Sequence, residues 1–182
     1  DEKTPVFPGD PKQEIKQNAT IEKYGWNEKR LTFNSHFGTH IDAPLHMLPS
    51  GKRLSDFPVD KFFGRGCLID ARSSSVIEAG FLSKSSVRKD DIVLVLTGFS
   101  QKYRQPEYFG HYPEISEDFA RQAIALGIKI IGLDAPSPDR PPYKIHKLLL
   151  GADILIIENL TNLESLIGII NFEVMALPLK LQ

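Results

Sequence analysis

Three of the five histidines of this 182-residue chain fall in one stretch, Ser35-His36-Phe37-Gly38-Thr39-His40-Ile41-Asp42-Ala43-Pro44-Leu45-His46, and an aspartate lies among them. Counted from His36, the other three polar groups follow at offsets of 4, 6 and 10, all even. A chain near strand geometry sends alternate side chains to one face, so His36, His40, Asp42 and His46 can all face a single cavity. A helix would join positions 36 and 40 but swing 42 away. Gly38, the β-branched Thr39 and Ile41, and Pro44 also disfavour helix. The spacing predicts an extended segment bent at Gly38 and Pro44. Imidazole and carboxylate together are what a zinc-like cation selects, with bonds of roughly 2.0 to 2.2 Å.

Two or three protein ligands rarely complete such a site, and the stretch from His146 to Glu158 can supply the rest. Lys144-Ile145-His146-Lys147-Leu148-Leu149-Leu150 reads as a short helix stopped by Gly151, and Ile154-Leu155-Ile156-Ile157 is an apolar run of buried-strand type. Glu158 stands at that strand's carboxyl end, where a carboxylate either caps the strand in solvent or is held at a buried site. Hydrolysis suits this ligand set, because a divalent ion can lower the pKa of bound water from 15.7 to about 7. Metal-assisted hydrolysis is the expected chemistry. The other reading is a non-catalytic, metal-stabilised binding protein.

The elements that must position these groups are legible in outline. Gln13 to Phe33 reads as two strands around a turn at Gly25-Trp26-Asn27-Glu28, and Cys67 to Ala71 and Ile92 to Thr97 as buried strands. Ser116 is a candidate N-cap, with Glu117 and Asp118 in the first turn and Phe119, Ala123 and Leu126 as an apolar stripe before Gly127. Ile128 to Leu133 is another buried strand, so the strand at 92–97, the helix and the strand at 128–133 make a right-handed parallel crossover. The fold class is α/β with a mixed sheet. Gly98 to Ile115 is a long connection rich in aromatics and carrying His111, either a binding loop or a surface loop anchored by its rings. Asp134 would either support a metal ligand from behind or open the Pro-rich turn Pro136 to Pro142.

Composition narrows the partners. With 41% apolar residues the chain can bury a real core, and 1–182 reads as one domain. Lys plus Arg number 22 against 23 Asp plus Glu, a net charge of -1 without a basic stripe, which excludes nucleic acid and anionic membrane as expected partners. No apolar run approaches the ~20 residues of a membrane span. Cys67, the single cysteine, lies in an apolar run and reads as a buried structural thiol, and cytoplasm is the expected compartment.

The stretch His36 to His46 matches every fixed position of His-x-Gly-Thr-His-x-Asp-x-Pro-x-His, the signature of the metal-dependent cyclase superfamily, whose bacterial kynurenine formamidases and isatin hydrolases are relatives. Phe7-Pro8-Gly9-Asp10-Pro11, Asp134-Ala135-Pro136-Ser137 and Ile156 to Leu163 extend the resemblance in the same order along nearly the whole chain. The resemblance implies a swivelling β/β/α fold with a barrel-like core and flanking helices, and a further N-terminal strand ahead of this sequence. It implies His36, His40 and Asp42 as ligands of one divalent ion, and Asp42, His146 and Glu158 of a second, with zinc foremost and manganese an alternative. It makes His46 the catalytic acid and base. It further implies arylformamidase activity, N-formylkynurenine to kynurenine plus formate, with hydrolysis of another cyclic amide or lactone, as in isatin, the alternative. A homodimer or homotetramer is expected. Phe7, Trp26, Phe37 and Phe63 are candidate pocket walls, with core packing the favoured reading for each.

Overall fold

A computed structural model describes residues 1–179. Its apolar runs become neighbouring strands because a strand covered on both faces can be apolar at every position. In chain order the elements are β1 (Glu14–Ala19), the single turn α1 (Ile21–Tyr24), β2 (Glu28–Thr32), β3 (His40–Asp42), β4 (Phe63–Asp70), β5 (Val76–Ile77) and α2 (Gly80–Ser83). There follow β6 (Ile92–Leu96), β7 (Glu114–Ile115), α3 (Glu117–Leu126), β8 (Ile130–Leu133), α4 (Lys144–Gly151), β9 (Leu155–Glu158) and β10 (Glu173–Met175). One six-stranded sheet, ordered β10-β4-β6-β8-β9-β3, forms the body. Its four central strands run parallel, and β10 and β3 pair antiparallel at the edges. The expected α/β class with a mixed sheet is what forms, and the sheet curls into a half-barrel.

Strand alternation splits the core in two. Val93, Val95, Ile131, Leu133 and Ile156 pack on the face carrying α3 and α4, while Ile92, Leu94, Ile130, Leu155 and Ile157 pack on the other with Phe62 and Leu163. The parallel pairing expected between the strands at 92–97 and 128–133 runs from Ile92 opposite Ile130 to Val95 opposite Leu133. Between them the Ser116 hydroxyl accepts from the Phe119 amide at 3.1 Å, and Gly127 closes α3 in the left-handed region at φ +70°. Cys67 is buried and free, as read.

Two details differ from the reading. A helical turn, α1, precedes the bend between β1 and β2. Gly151 belongs to α4 instead of stopping it, and Ala152 caps the helix. The 98–115 connection is a loop anchored by its rings, one of its two readings: Phe99, Tyr108 and Tyr112 are buried, with ring centroids 5.7 Å apart for Phe99–Tyr108 and 6.3 Å for Phe99–Tyr112. Its His111 is exposed. Among the described residues no helix is long and apolar enough to cross a membrane.

Candidate metal centre

The register between β3 and β9 assembles the first donors. His40 stands opposite Glu158 and Asp42 opposite Ile156. Since Ile156 faces the helical side of the sheet, two-residue alternation carries His40, Asp42 and Glu158 to that side as well. There α4 brings His146. Its Nε2 lies 3.2 Å from Glu158 Oε1 and 3.7 Å from Asp42 Oδ2. His40 Nε2 lies 3.3 Å from Asp42 Oδ1 and 3.4 Å from Glu158 Oε2.

The two outer histidines arrive through bends on either side of β3. Gly38, at φ +63°, turns the chain in a conformation that side chains disfavour, and His36 Nδ1 then lies 2.8 Å from Asp42 Oδ1. Beyond β3, Pro44 opens a single 3-10 turn, Pro44–His46, and the Leu45 amide donates to the Lys52 carbonyl at 3.0 Å. That fold-back requires the bare backbone of Gly51, where a Cβ would stand 2.3 Å from the Pro44 carbonyl carbon. It sets the His46 ring 4.0 Å from that of His36 and 5.9 Å from that of His146. All four groups of the histidine stretch thus come together, although His36 and His46 get there through bends and not by strand alternation.

The cluster has two layers. The side chains of Asp42, His146, His40 and Glu158 are 1%, 3%, 8% and 10% exposed, against 35% for His36, and His46 is exposed beside it. Burial would raise Asp42, but the imidazoles of His146, His36 and His40 hold its carboxyl well below the usual range. Burial raises Glu158, and the charge of Asp42 adds to that. Burial would lower His146, yet Asp139, Asp42 and Glu158 outweigh it and lift the imidazole to about 11. His40 is raised against its burial by Asp42 and Glu158. His46 goes the other way, to about 4, because burial of part of its ring outweighs the attraction of Asp42 and the neighbouring imidazoles add to it.

The donor set fits a divalent cation. His40 Nε2 and both carboxylate oxygens of Asp42 are buried without a directed hydrogen bond, the 2.8 Å approach of His36 included. Each unsatisfied group of this kind costs roughly 1–3 kcal/mol, and a cation among them would satisfy all three. The donor atoms of His40, Asp42 and Glu158 lie within 4.8 Å of one another, as do those of His36, Asp42 and His46. Asp42 belongs to both groups, and the second admits His46 itself as a donor.

Other residues singled out from the sequence sit elsewhere. Asp134 touches no donor of the cluster. Its carboxylate accepts from the Thr97 amide and hydroxyl at 2.7 and 2.6 Å and from the Gly98 amide at 2.9 Å, because the turn leaving β6 has backbone donors to satisfy. Asp139 instead backs a donor, with its Oδ1 2.5 Å from His146 Nδ1. The sequence reading passed over it, since an aspartate in a Pro-rich turn looks like turn chemistry. Phe63 packs into the core opposite the helices, Trp26 is exposed near Tyr24, and Phe7 meets Phe109 edge to face at 5.5 Å. Of the candidate walls, Phe37 adjoins the cluster in sequence, and it stacks on Phe33 at 5.1 Å.

Residues 1–140, which include the whole histidine stretch, match the profile of the family described as putative cyclase. The chain belongs to the putative cyclase family. A kynurenine formamidase of Erythrobacter litoralis is 30% identical over 187 residues, covering 97% of this chain and 82% of that protein. A solved structure of a potential metal-dependent hydrolase with cyclase activity superposes with a TM-score of 0.78 at 28% identity, over 100% of this chain and 86% of the other. Isatin hydrolase A of Labrenzia aggregata, bound to benzyl benzoate, shares the fold with a TM-score of 0.86 at 24% identity, over 100% of this chain and 85% of that one. In this putative cyclase the metal-compatible cluster lies where the histidine stretch and the register of β3 on β9 bring its donors together.

Proposed function

We propose that this cyclase-family protein is a metal-dependent amide hydrolase acting on an arylformamide of the N-formylkynurenine type. The observation that carries the reading is a buried Asp42 whose two oxygens lack a directed hydrogen bond, ringed by three imidazoles and Glu158, with a fourth imidazole, His46, on the solvent side. The 30% identity to a kynurenine formamidase supports the choice of substrate. His36, His40, Asp42, His146 and Glu158 would hold one or two divalent ions, zinc before manganese. A cation there supplies an activated water and polarises the scissile carbonyl.

The chain's own groups do the rest. The buried layer fixes where the carbonyl can approach, since Asp42, His40, His146 and Glu158 come from a strand pair and a helix that pack as one unit. His46, free of the strands and open to solvent, takes a proton from the attacking water and returns it to the leaving nitrogen, so that amide and water become amine and formic acid, which loses its proton to solvent as formate. An aryl substituent on that nitrogen makes it a better leaving group. Phe37 stacked on Phe33 beside His36 offers that ring an apolar wall.

The setting we propose is a cytoplasmic homo-oligomer. Its supports are the free, buried Cys67 and the hairpin of β1 and β2, which leaves Ile21, Trp26 and Leu31 more than half exposed. Metal analysis of the purified protein, paired with N-formylkynurenine hydrolysis before chelation, after it and after return of zinc or manganese, tests the function. Bound ion with metal-restored turnover is expected. Bound ion with turnover of isatin alone would move the activity to cyclic amides, and a protein with no affinity for either ion would overturn the reading.

A further inference from the structure

We infer that Asp139 is a positioning residue that sets the orientation and the proton of His146, so that the ring offers Nε2 to the cluster. This rests on the reading that the cluster holds a divalent cation.

The geometry is specific. An imidazole carries its two nitrogens on different edges, and whichever is hydrogen-bonded from behind leaves the other to face the site. Asp139 Oδ1 meets His146 Nδ1 at 2.5 Å, and on the far edge Nε2 faces Glu158 Oε1 at 3.2 Å. The carboxylate is itself held. Its Oδ2 accepts from the Ile145 amide at 2.6 Å, and the Asp139 carbonyl accepts from the Ser137 hydroxyl at 2.8 Å and the Tyr112 hydroxyl at 3.1 Å. All of this is buried, with Asp139 4% and His146 2% exposed. Thus one side chain fixes both the first turn of α4 and the ring that turn carries.

His40 shows the same device built differently. Its Nδ1 lies 2.9 Å from the Gly38 carbonyl and its Nε2 points inward. A neutral carbonyl fixes the tautomer, whereas a carboxylate also strengthens the basicity of the opposite nitrogen. Among the described residues, His146 is the imidazole of the cluster with a carboxylate behind it. Both carboxylate oxygens of Asp139 are engaged, one by the ring and one by the Ile145 amide. It acts through His146.

The experiment is zinc affinity of the full chain, measured by competition with a chromophoric chelator, across a double-mutant cycle. Asp139→Asn keeps the volume but has one acceptor oxygen for two donors, Ile145 N–H and His146 Nδ1–H. A loss of affinity on the order of 10- to 100-fold is expected. In a His146→Ala background the same substitution should change affinity no further, because a residue that acts through the ring has nothing left to act on. Long-range proton–nitrogen spectra of the zinc-loaded protein should show His146 protonated at Nδ1, with that signature lost in Asp139→Asn. An equal loss with and without His146, or an unaltered affinity, would overturn the inference and leave Asp139 as a helix cap. If the unsubstituted chain itself takes up no zinc, the metal reading fails, and this inference with it.

Discussion

His40 and Asp42 come from the same motif as His36 and His46, yet the two pairs end in different surroundings. The inner pair lies on β3, hydrogen-bonded into a sheet edge and covered by α4. The outer pair lies beyond the bends at Gly38 and Pro44, and reaches the same point from the solvent side. Rigid elements give the inner residues fixed distances and cost them their water, which is the condition under which a buried carboxylate calls for a cation. A turn gives His46 reach and solvent, which suits a group that must exchange protons. One short motif therefore supplies both a binding floor and a working mouth.

The division breaks most decisively if both layers respond alike to metal removal. Chelation should abolish hydrolysis altogether, and zinc should restore it while raising the melting temperature. A ligand at 100 times its Kd stabilises the folded state by about 2.7 kcal/mol. Next in size is the floor. Asp42→Asn keeps shape but removes the charge and one acceptor shared by both donor groups, so zinc uptake should be lost along with turnover, as read by metal analysis of the refolded variant. Retained zinc in that variant would mean that the layers do not divide the work.

How much of this could be read beforehand differs by element. The strands were legible because each apolar run is buried on both faces of the sheet, which leaves little freedom in assigning it. The common face of His40 and Asp42 was legible because a period of two survives any detail of pairing, whereas His36 reaches it through the bend at Gly38. Depth was not, since it depends on what covers β3, and α4 arrives from a hundred residues further along. Asp139 was invisible for a related reason: no periodicity links a Pro-rich turn to a histidine ring on the following helix. Asp134 stayed open between backing a ligand and starting a turn, because sequence does not show which donors lie near a strand end, and those of Thr97 and Gly98 claim it. The hairpin of β1 and β2 was drawn correctly as two strands, but strand patterning says nothing about whether another element covers it.

The mouth is the sharper test. His46→Ala should keep its zinc and fold normally while losing on the order of 10²- to 10⁴-fold in kcat, the usual worth of a positioned proton carrier. Loss of zinc instead would place His46 with His36 and Asp42 as a donor, an arrangement the 4.8 Å grouping of their atoms allows.

The smallest effect should come from the struts that hold the floor without touching it. Thr39 donates to the Asn159 carbonyl at 2.7 Å, and the buried Tyr108 hydroxyl donates to the Asn159 side chain at 2.8 Å. Asn159 follows Glu158 directly and sits in the left-handed region at φ +57°, so these contacts hold a strained link just past a donor. Tyr108→Phe removes one hydroxyl and leaves the aromatic packing intact. It should cost about 1 kcal/mol of stability in denaturant unfolding. Zinc affinity should hardly move, because the pairing of β3 with β9 still fixes Glu158. A large drop in affinity from so remote a change would show that the floor takes its rigidity from the aromatic loop, and not from the sheet.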